Sequence, residues 1–276
     1  MMKIARYIIG LLAGMATMVS FSACNQIKED ERKVDYEGSV SSDRYVLLED
    51  FSGVRCVNCP KAAGQAHNLT DFYGDNVIVV AYYPKNPTGL TTPYNKTDLD
   101  LRTEVAQTYA TAYAVPQLPN GLVNRTGGIK DYPAWASAVT GFILDSTNYA
   151  RLSGKAWKGE GLDVNVEIEG GFVENYTKAG EIGILAMVIE DSIVVEQLTP
   201  TGRNPGYVHN HVFRMLFSDV WGDKVLNEKP EKGTEFAQTY RATVSEAWRS
   251  EKLSVVAALV NMRSREVIQA AHIDIE

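Results

Sequence analysis

The chain has 276 residues, with 34 acidic against 27 basic side chains and a formal net charge of −7. That acidic balance argues against a nucleic-acid partner, whose phosphates call for clustered Lys and Arg. A 45% hydrophobic content is ordinary for globular folds, and the length exceeds one average domain, so two domains are expected.

Residues 1–23 read as a secretion signal: Lys3 and Arg6 make a basic start, Ile8 to Val19 is mostly apolar, and Ser22-Ala23 leads into Cys24. The apolar run is too short to cross a bilayer with polar margins, and nothing later supplies the roughly 18 consecutive apolar residues of a spanning helix. A cysteine at this point resembles the lipobox of bacterial lipoproteins, which makes Cys24 the expected lipidation site and membrane anchor. Without residues 1–23 the balance becomes 25 basic against 34 acidic residues. Residues 24–44 are polar and read as a lipid-anchored flexible tether.

From Tyr45 the pattern alternates between strand and helix. Tyr45 to Phe51 is strand-like, Pro60 to Phe72 helix-like, and Asn76 to Tyr83 a continuous apolar run of the kind found in buried central strands. A Pro-, Gly- and Asn-rich segment follows, then helical spacing from Leu99 to Ala114, a short strand over Leu118 to Arg125, and a closing helix from Tyr132 to Leu144. This order predicts an α/β domain over 45–150, with an insertion near 84–102. After residue 150 the pattern is of strands alone. Leu162, Val164, Val166 and Ile168 alternate with polar residues, and further runs span Ile182 to Val195, Val208 to Phe217, Thr234 to Val244, Leu253 to Val260 and Glu266 to Ile275. An all-β, immunoglobulin-like sandwich is expected over 151–276.

Cys56-Val57-Asn58-Cys59 falls at the first strand-to-helix junction. A thiol at a helix N-terminus meets free N–H groups and a partial positive charge, which favour the thiolate. A second thiol three residues on can close a disulfide and release a bound substrate. Export places the pair in an oxidising compartment. A redox dithiol, a structural disulfide and half of a zinc site all remain open, although zinc needs further Cys or His ligands close by. A redox role also requires a reachable Cys56.

Three elements in order resemble the thioredoxin superfamily over about residues 45–150: Asp50-Phe51 six positions before Cys56, the Cys pair, and Val115-Pro116-Gln117-Leu118-Pro119-Asn120. The resemblance implies that Cys56 attacks, Cys59 resolves, and Asp50 accepts the Cys59 proton. It further implies a cis Pro119 that holds the Leu118 backbone against an extended substrate. The pair departs from the family in its Val57-Asn58 centre, in the absence of a Trp before Cys56, and in Pro60. Because proline disfavours helical geometry in the residue before it, the helix is expected to begin later, with the pair in a tighter loop.

His209 and His211 would share one face of a strand, a spacing compatible with a metal, but no carboxylate or Cys completes a set, so a structural role is expected. No G-x-S-x-G, P-loop or Rossmann fingerprint is present, and neither a cofactor nor a metal site is expected.

The lipobox, the acidic segment Lys28-Glu29-Asp30-Glu31, the thiol domain, Tyr207-Val-His-Asn-His-Val-Phe-Arg214 and Val267-Ile-Gln-Ala-Ala271 together resemble the twenty-eight-kilodalton outer-membrane protein family of Bacteroidetes. The resemblance implies a lipid-anchored lipoprotein on the outer-membrane surface. Two roles follow as expectations. One is a thiol-disulfide oxidoreductase or isomerase acting on extracytoplasmic protein thiols or disulfides. The other is a non-enzymatic, adhesin- or receptor-like module whose β domain binds an unknown protein ligand.

Overall fold

The computed structural model describes residues 43–85, 89–145 and 147–276. The signal segment, Cys24 and the tether up to residue 42 lie outside the described residues. In chain order the elements are β1 (Val46–Phe51), α1 (Cys59–Tyr73), β2 (Val77–Tyr82), α2 (Glu104–Ala112), β3 (Asn120–Val123) and α3 (Trp135–Leu144). There follow β4 (Ala150–Lys158), β5 (Asp163–Phe172), β6 (Ile182–Glu190), β7 (Ile193–Val194), β8 (Gln197–Thr199), β9 (Gly202–Asn204), β10 (Val208–His209) and β11 (Val212–Leu216). The last are β12 (Asp223–Leu226), β13 (Glu235–Thr243), β14 (Leu253–Asn261) and β15 (Val267–Asp274). The chain is thus mostly β, with a few helices and several sheets.

One mixed sheet organises the molecule in the order β15-β14-β6-β11-β2-β1-β3, with β12 beside β6. β1 and β2 run parallel, and β3 runs antiparallel to β1. β11 joins β2 in parallel at Val212 and Ala81, and pairs antiparallel with β6 on its other side. The expected boundary near residue 150 therefore lies within an architecture whose principal sheet draws strands from both halves.

Strand alternation sorts the core into layers. On one face, Val46, Leu48, Val77 and Val79 pack with Ala62, Ala66 and Leu69 of α1 and with Trp135 and Val139 of α3. Toward the other edge of the sheet, Ile184, Ala186, Val188, Val255, Ala257 and Leu259 share a core with Val164, Val166 and Ile168 of β5. β5 is the centre of a separate three-stranded sheet, β13-β5-β4. On the opposite face, Leu47, Val80, Tyr82, Met187 and Phe213 pack with Ala106 and Tyr109 of α2.

Several elements depart from the sequence expectation for local reasons. α1 begins at Cys59, because Pro60 sits in the first turn, where a missing N–H costs no intrahelical bond. The helix thus starts after Cys56, as expected from Pro60, although Cys59 itself lies in its first turn and not in the loop. α2 begins only at Glu104, where the Thr103 side chain caps it by accepting from the Ala106 N–H at 3.1 Å. Just before it, Asp100 is tied to Arg102 through that residue's backbone and guanidinium. β4 escapes the sequence pattern because its buried positions are small. Gly154 is needed there, since a Cβ would lie 2.7 Å from the backbone carbonyl oxygen of Glu167.

The expected run over Val208 to Phe217 is split at Asn210-His211, where His211 takes a positive φ of 57°. His209 and His211 consequently do not share one strand face. Ser192, with a φ of 60°, likewise divides the run from Ile182 to Val195.

One deeply buried polar contact is an ion pair. The Arg125 Nε and Nη2 donate to the Glu49 carboxylate at 2.8 and 2.7 Å, and both side chains are 1% exposed. The Tyr109 ring lies 4.6 Å from the guanidinium. Removing one partner strands a buried charge, so Arg125→Ala should cost about 3–5 kcal/mol. A Glu49→Leu/Arg125→Met double variant should recover most of that loss. Urea unfolding of the two variants provides the test, and equal losses would disprove the pairing account.

Candidate functional site at the Cys56–Cys59 disulfide

β1 and β2 end side by side, and the chain leaves β1 through Ser52 and Gly53 into the thiol turn. The Ser52 N–H donates to the Tyr82 carbonyl at 2.8 Å, and the Cys56 N–H donates to the Gly53 carbonyl at 3.1 Å. Gly53 has no room for a side chain, since a Cβ would meet the Leu90 carbonyl oxygen at 2.7 Å and the Leu118 Cδ1 at 3.1 Å. Cys56 and Cys59 form a disulfide with Cα atoms 5.4 Å apart. Cys59 occupies the start of α1, and Cys56 lies in the preceding turn, so the resolving rather than the attacking thiol holds the helix N-terminus. The Leu118–Pro119 peptide is cis. Half-buried Leu118 lies against the thiol turn, and Pro119 is buried.

The pair is covered from two directions. Cys56 is 3% exposed and Cys59 2%. From the second half of the chain, the Gln197 side-chain amide donates to the Cys56 carbonyl at 3.0 Å and to the Gly53 carbonyl at 3.2 Å. The Leu198 N–H donates to the Val54 carbonyl at 2.8 Å. From the segment before α2, the Leu90 carbonyl accepts from the Arg55 N–H, while the Arg55 guanidinium donates to the Thr92 and Pro93 carbonyls. Tyr94 stacks with Arg55 at 4.6 Å and with Arg203 of the β8–β9 hairpin at 4.0 Å. Of the four motif residues, only the inner pair Val57-Asn58 is exposed.

Asp50 lies on the strand just below the turn, 3% exposed, and its Oδ1 has no hydrogen-bond partner. Burial pushes its carboxyl from 3.8 up to about 8. It shares a cavity of about 260 Å³ with Cys59, Tyr83, Gln197, Tyr207 and His209, among others. The His209 Nε2 lies 3.0 Å from the Val195 carbonyl, which can only accept, so Nε2 carries the proton. The Nδ1 is then an acceptor, and the Tyr83 hydroxyl donates to it at 2.8 Å. Burial lowers the His209 pKa to about 4, against the raising effect of the Val195 hydrogen bond. Burial also lowers that of His211, opposed by Asp191. Both rings are therefore neutral at pH 7, and neither supplies a cation to Asp50. Among the described residues, no group of three or more His, Cys, Asp or Glu could hold a metal ion.

The structure thus brings Asp50, Cys56, Cys59, Leu118 and Pro119 to one place. Sequence patterns did not single out Gln197 or Tyr83, and for His209 they suggested only a structural role.

Asp50 carries a clear pH signature. The unfolded chain releases this proton near pH 4 and the folded chain near pH 8, so between these values the folded state holds the extra proton. Stability must then fall as pH rises through the interval, by up to about 1.4 kcal/mol per pH unit. Relative to the wild type, Asp50→Asn should become steadily more stable from pH 5 to pH 8 in urea unfolding. Parallel pH profiles for the two proteins would disprove the buried-acid account.

Comparison with known proteins gives two kinds of likeness. HBP35 of Porphyromonas gingivalis is similar in structure with a TM-score of 0.64 and 18% identity, over 85% of this chain and 76% of that one. An Agrobacterium tumefaciens protein is similar with a TM-score of 0.51 and 14% identity, over 82% of this chain and 92% of that one. A domain of the outer membrane lipoprotein Omp28 from Porphyromonas gingivalis, at 18% identity, matches 46% of this chain and 88% of that domain with a TM-score of 0.34. At such identities the first two likenesses concern the fold alone. No curated protein matches the chain. The family described as outer membrane protein Omp28 matches residues 106–276, which is more than half of the chain and includes Pro119, Gln197 and His209 but begins after Cys59. The chain therefore belongs to the Omp28 family of outer membrane proteins.

Proposed function

We propose that this outer membrane protein is a lipoprotein, anchored through Cys24 and exposed at the cell surface, whose Cys56–Cys59 pair exchanges with extracytoplasmic thiols or disulfides. The proposal includes a thioredoxin-like unit over 45–150 followed by an immunoglobulin-like sandwich over 151–276. The facing of β4, β5 and β13 against β6, β14 and β15 supports the second of these.

One observation carries the redox reading: a buried carboxyl with an unpartnered oxygen shares a cavity with a disulfide cysteine. A disulfide that only pins a turn has no use for a nearby buried acid, which is costly to keep. A proton donor and acceptor for a thiol does have that use, and a pKa close to the working pH suits it. In this reading Cys56 attacks a protein disulfide, Cys59 resolves the mixed disulfide, and Asp50 takes the Cys59 proton.

The burial of Cys56 favours a second reading, in which the disulfide is structural and the β-rich half binds a protein ligand. Insulin reduction by dithiothreitol separates the two. Under the redox reading the wild type accelerates the reaction, Cys56→Ser falls to the uncatalysed rate, and Cys59→Ala accumulates a mixed disulfide on Cys56. If the wild type and Cys56→Ser behave alike and no mixed disulfide forms, the exchange function is refuted.

A further inference from the structure

The two cysteines are almost equally buried, Cys56 at 3% and Cys59 at 2% exposure, but their surroundings differ. The Cys56 carbonyl is held by the Gln197 amide, the Gly53 backbone in front of it lies against Leu90 and Leu118, and Arg55 beside it is fastened to the 92–94 segment. Cys59, by contrast, lines the cavity of about 260 Å³, of which Cys56 is not a lining residue. The cavity has an exposed rim, formed by Ala63 and Gly64 of α1 and by Val208 and Asn210 of the facing segment. Its inner wall carries Asp50, with an unpartnered oxygen and 3% exposure, and the neutral His209. The volume lies just below the roughly 300 Å³ at which sites for drug-sized ligands begin, so it suits a molecule of a few heavy atoms.

We propose that the disulfide is entered from the Cys59 side, through this cavity, by small thiols of about the size of cysteine, and that this exchange recharges the pair. The proposal rests on the redox reading above and names the partner class of that same site.

The chemistry balances with two equivalents of the small thiol, RSH. The thiolate RS⁻ attacks the Cys59 Sγ. A bond forms between R–S and Cys59, the Cys56–Cys59 bond breaks, and its electron pair leaves on the Cys56 Sγ. A second RS⁻ attacks the outer sulfur of the mixed disulfide, forming RSSR and returning the electron pair to the Cys59 Sγ, which takes its proton from the Asp50 carboxyl. The two thiols release two protons to solvent, from which Asp50 and Cys56 each regain one. The small thiol is oxidised and the protein disulfide reduced. The first step liberates Cys56, the thiol that attacks protein disulfides in the parent reading, so one sulfur faces the small reductant and the other the protein once the Gln197 cover moves.

The test uses the oxidised full chain and L-cysteine as the probe. After brief exposure the reaction is quenched with acid, and mass spectrometry maps the cysteinyl adduct. The expected result is an adduct on Cys59 at about tenfold or more over Cys56, because access selects the sulfur attacked. Gly64→Leu adds bulk at the rim, where a Cβ meets nothing within 4 Å, and should slow adduct formation several-fold without unfolding α1. Adducts mainly on Cys56, or in equal amounts on both, would overturn this inference while leaving the exchange function standing if insulin reduction is positive. Failure of both cysteine exchange and insulin reduction on the folded protein would refute both.

Discussion

The structure depends on the pairing of β11 with β2. β2 is bonded to β1 on one side and to β11 on the other, with the Ala81 N–H donating to the His211 carbonyl at 2.8 Å. This junction joins strands separated by more than a hundred residues into one sheet. It also sets the segment leading into β11, with Tyr207, His209 and His211, beside the end of β2 where the thiol turn begins. Nearby, Val54, Ala81, Tyr83, Leu101, Ile193, Val195 and Val212 form a small core of their own, which fixes the second half against the site. Cover, cavity and sheet are therefore consequences of one arrangement, and the thiols cannot be treated as the property of the first half alone.

Within that frame, two adjacent carboxylates on β1 meet opposite fates. Successive strand residues point to opposite faces. Glu49 faces α2 and finds Arg125, which neutralises it with two hydrogen bonds. Asp50 faces the thiols and finds neutral groups only, so burial dominates and its proton is retained toward pH 8. The first carboxylate is structural because its charge is matched. The second is chemically poised because nothing matches it, and the pairing of Tyr83 with a neutral His209 preserves that condition.

Much of this was legible in advance. The apolar runs of β1, β2, β6 and β14 are buried throughout and could be read directly, and the thioredoxin resemblance carried by Asp50, Cys56, Cys59 and Pro119 pointed to the candidate site. Less legible were elements whose residues carry mixed signals. β4 presents Arg, Ser, Gly and Lys among small apolar residues, and the split of the run at Asn210-His211 depends on a single backbone conformation. Gln197, Tyr83 and His209 gave no local sign of belonging to the site, because their importance comes from partners more than a hundred residues away.

The sequence by itself determined the strand-and-helix grammar, the dithiol at a strand-to-helix junction, and a cysteine pair close enough along the chain to bond. These follow from short-range rules: apolar periodicity, the demands of caps and turns, and a three-residue spacing. Only the tertiary structure decided that the pair is buried, that Cys59 rather than Cys56 lines the cavity, and that Asp50 lacks a countercharge. Burial and electrostatic environment are set by what long-range strand pairing carries to the site, and no local pattern encodes that.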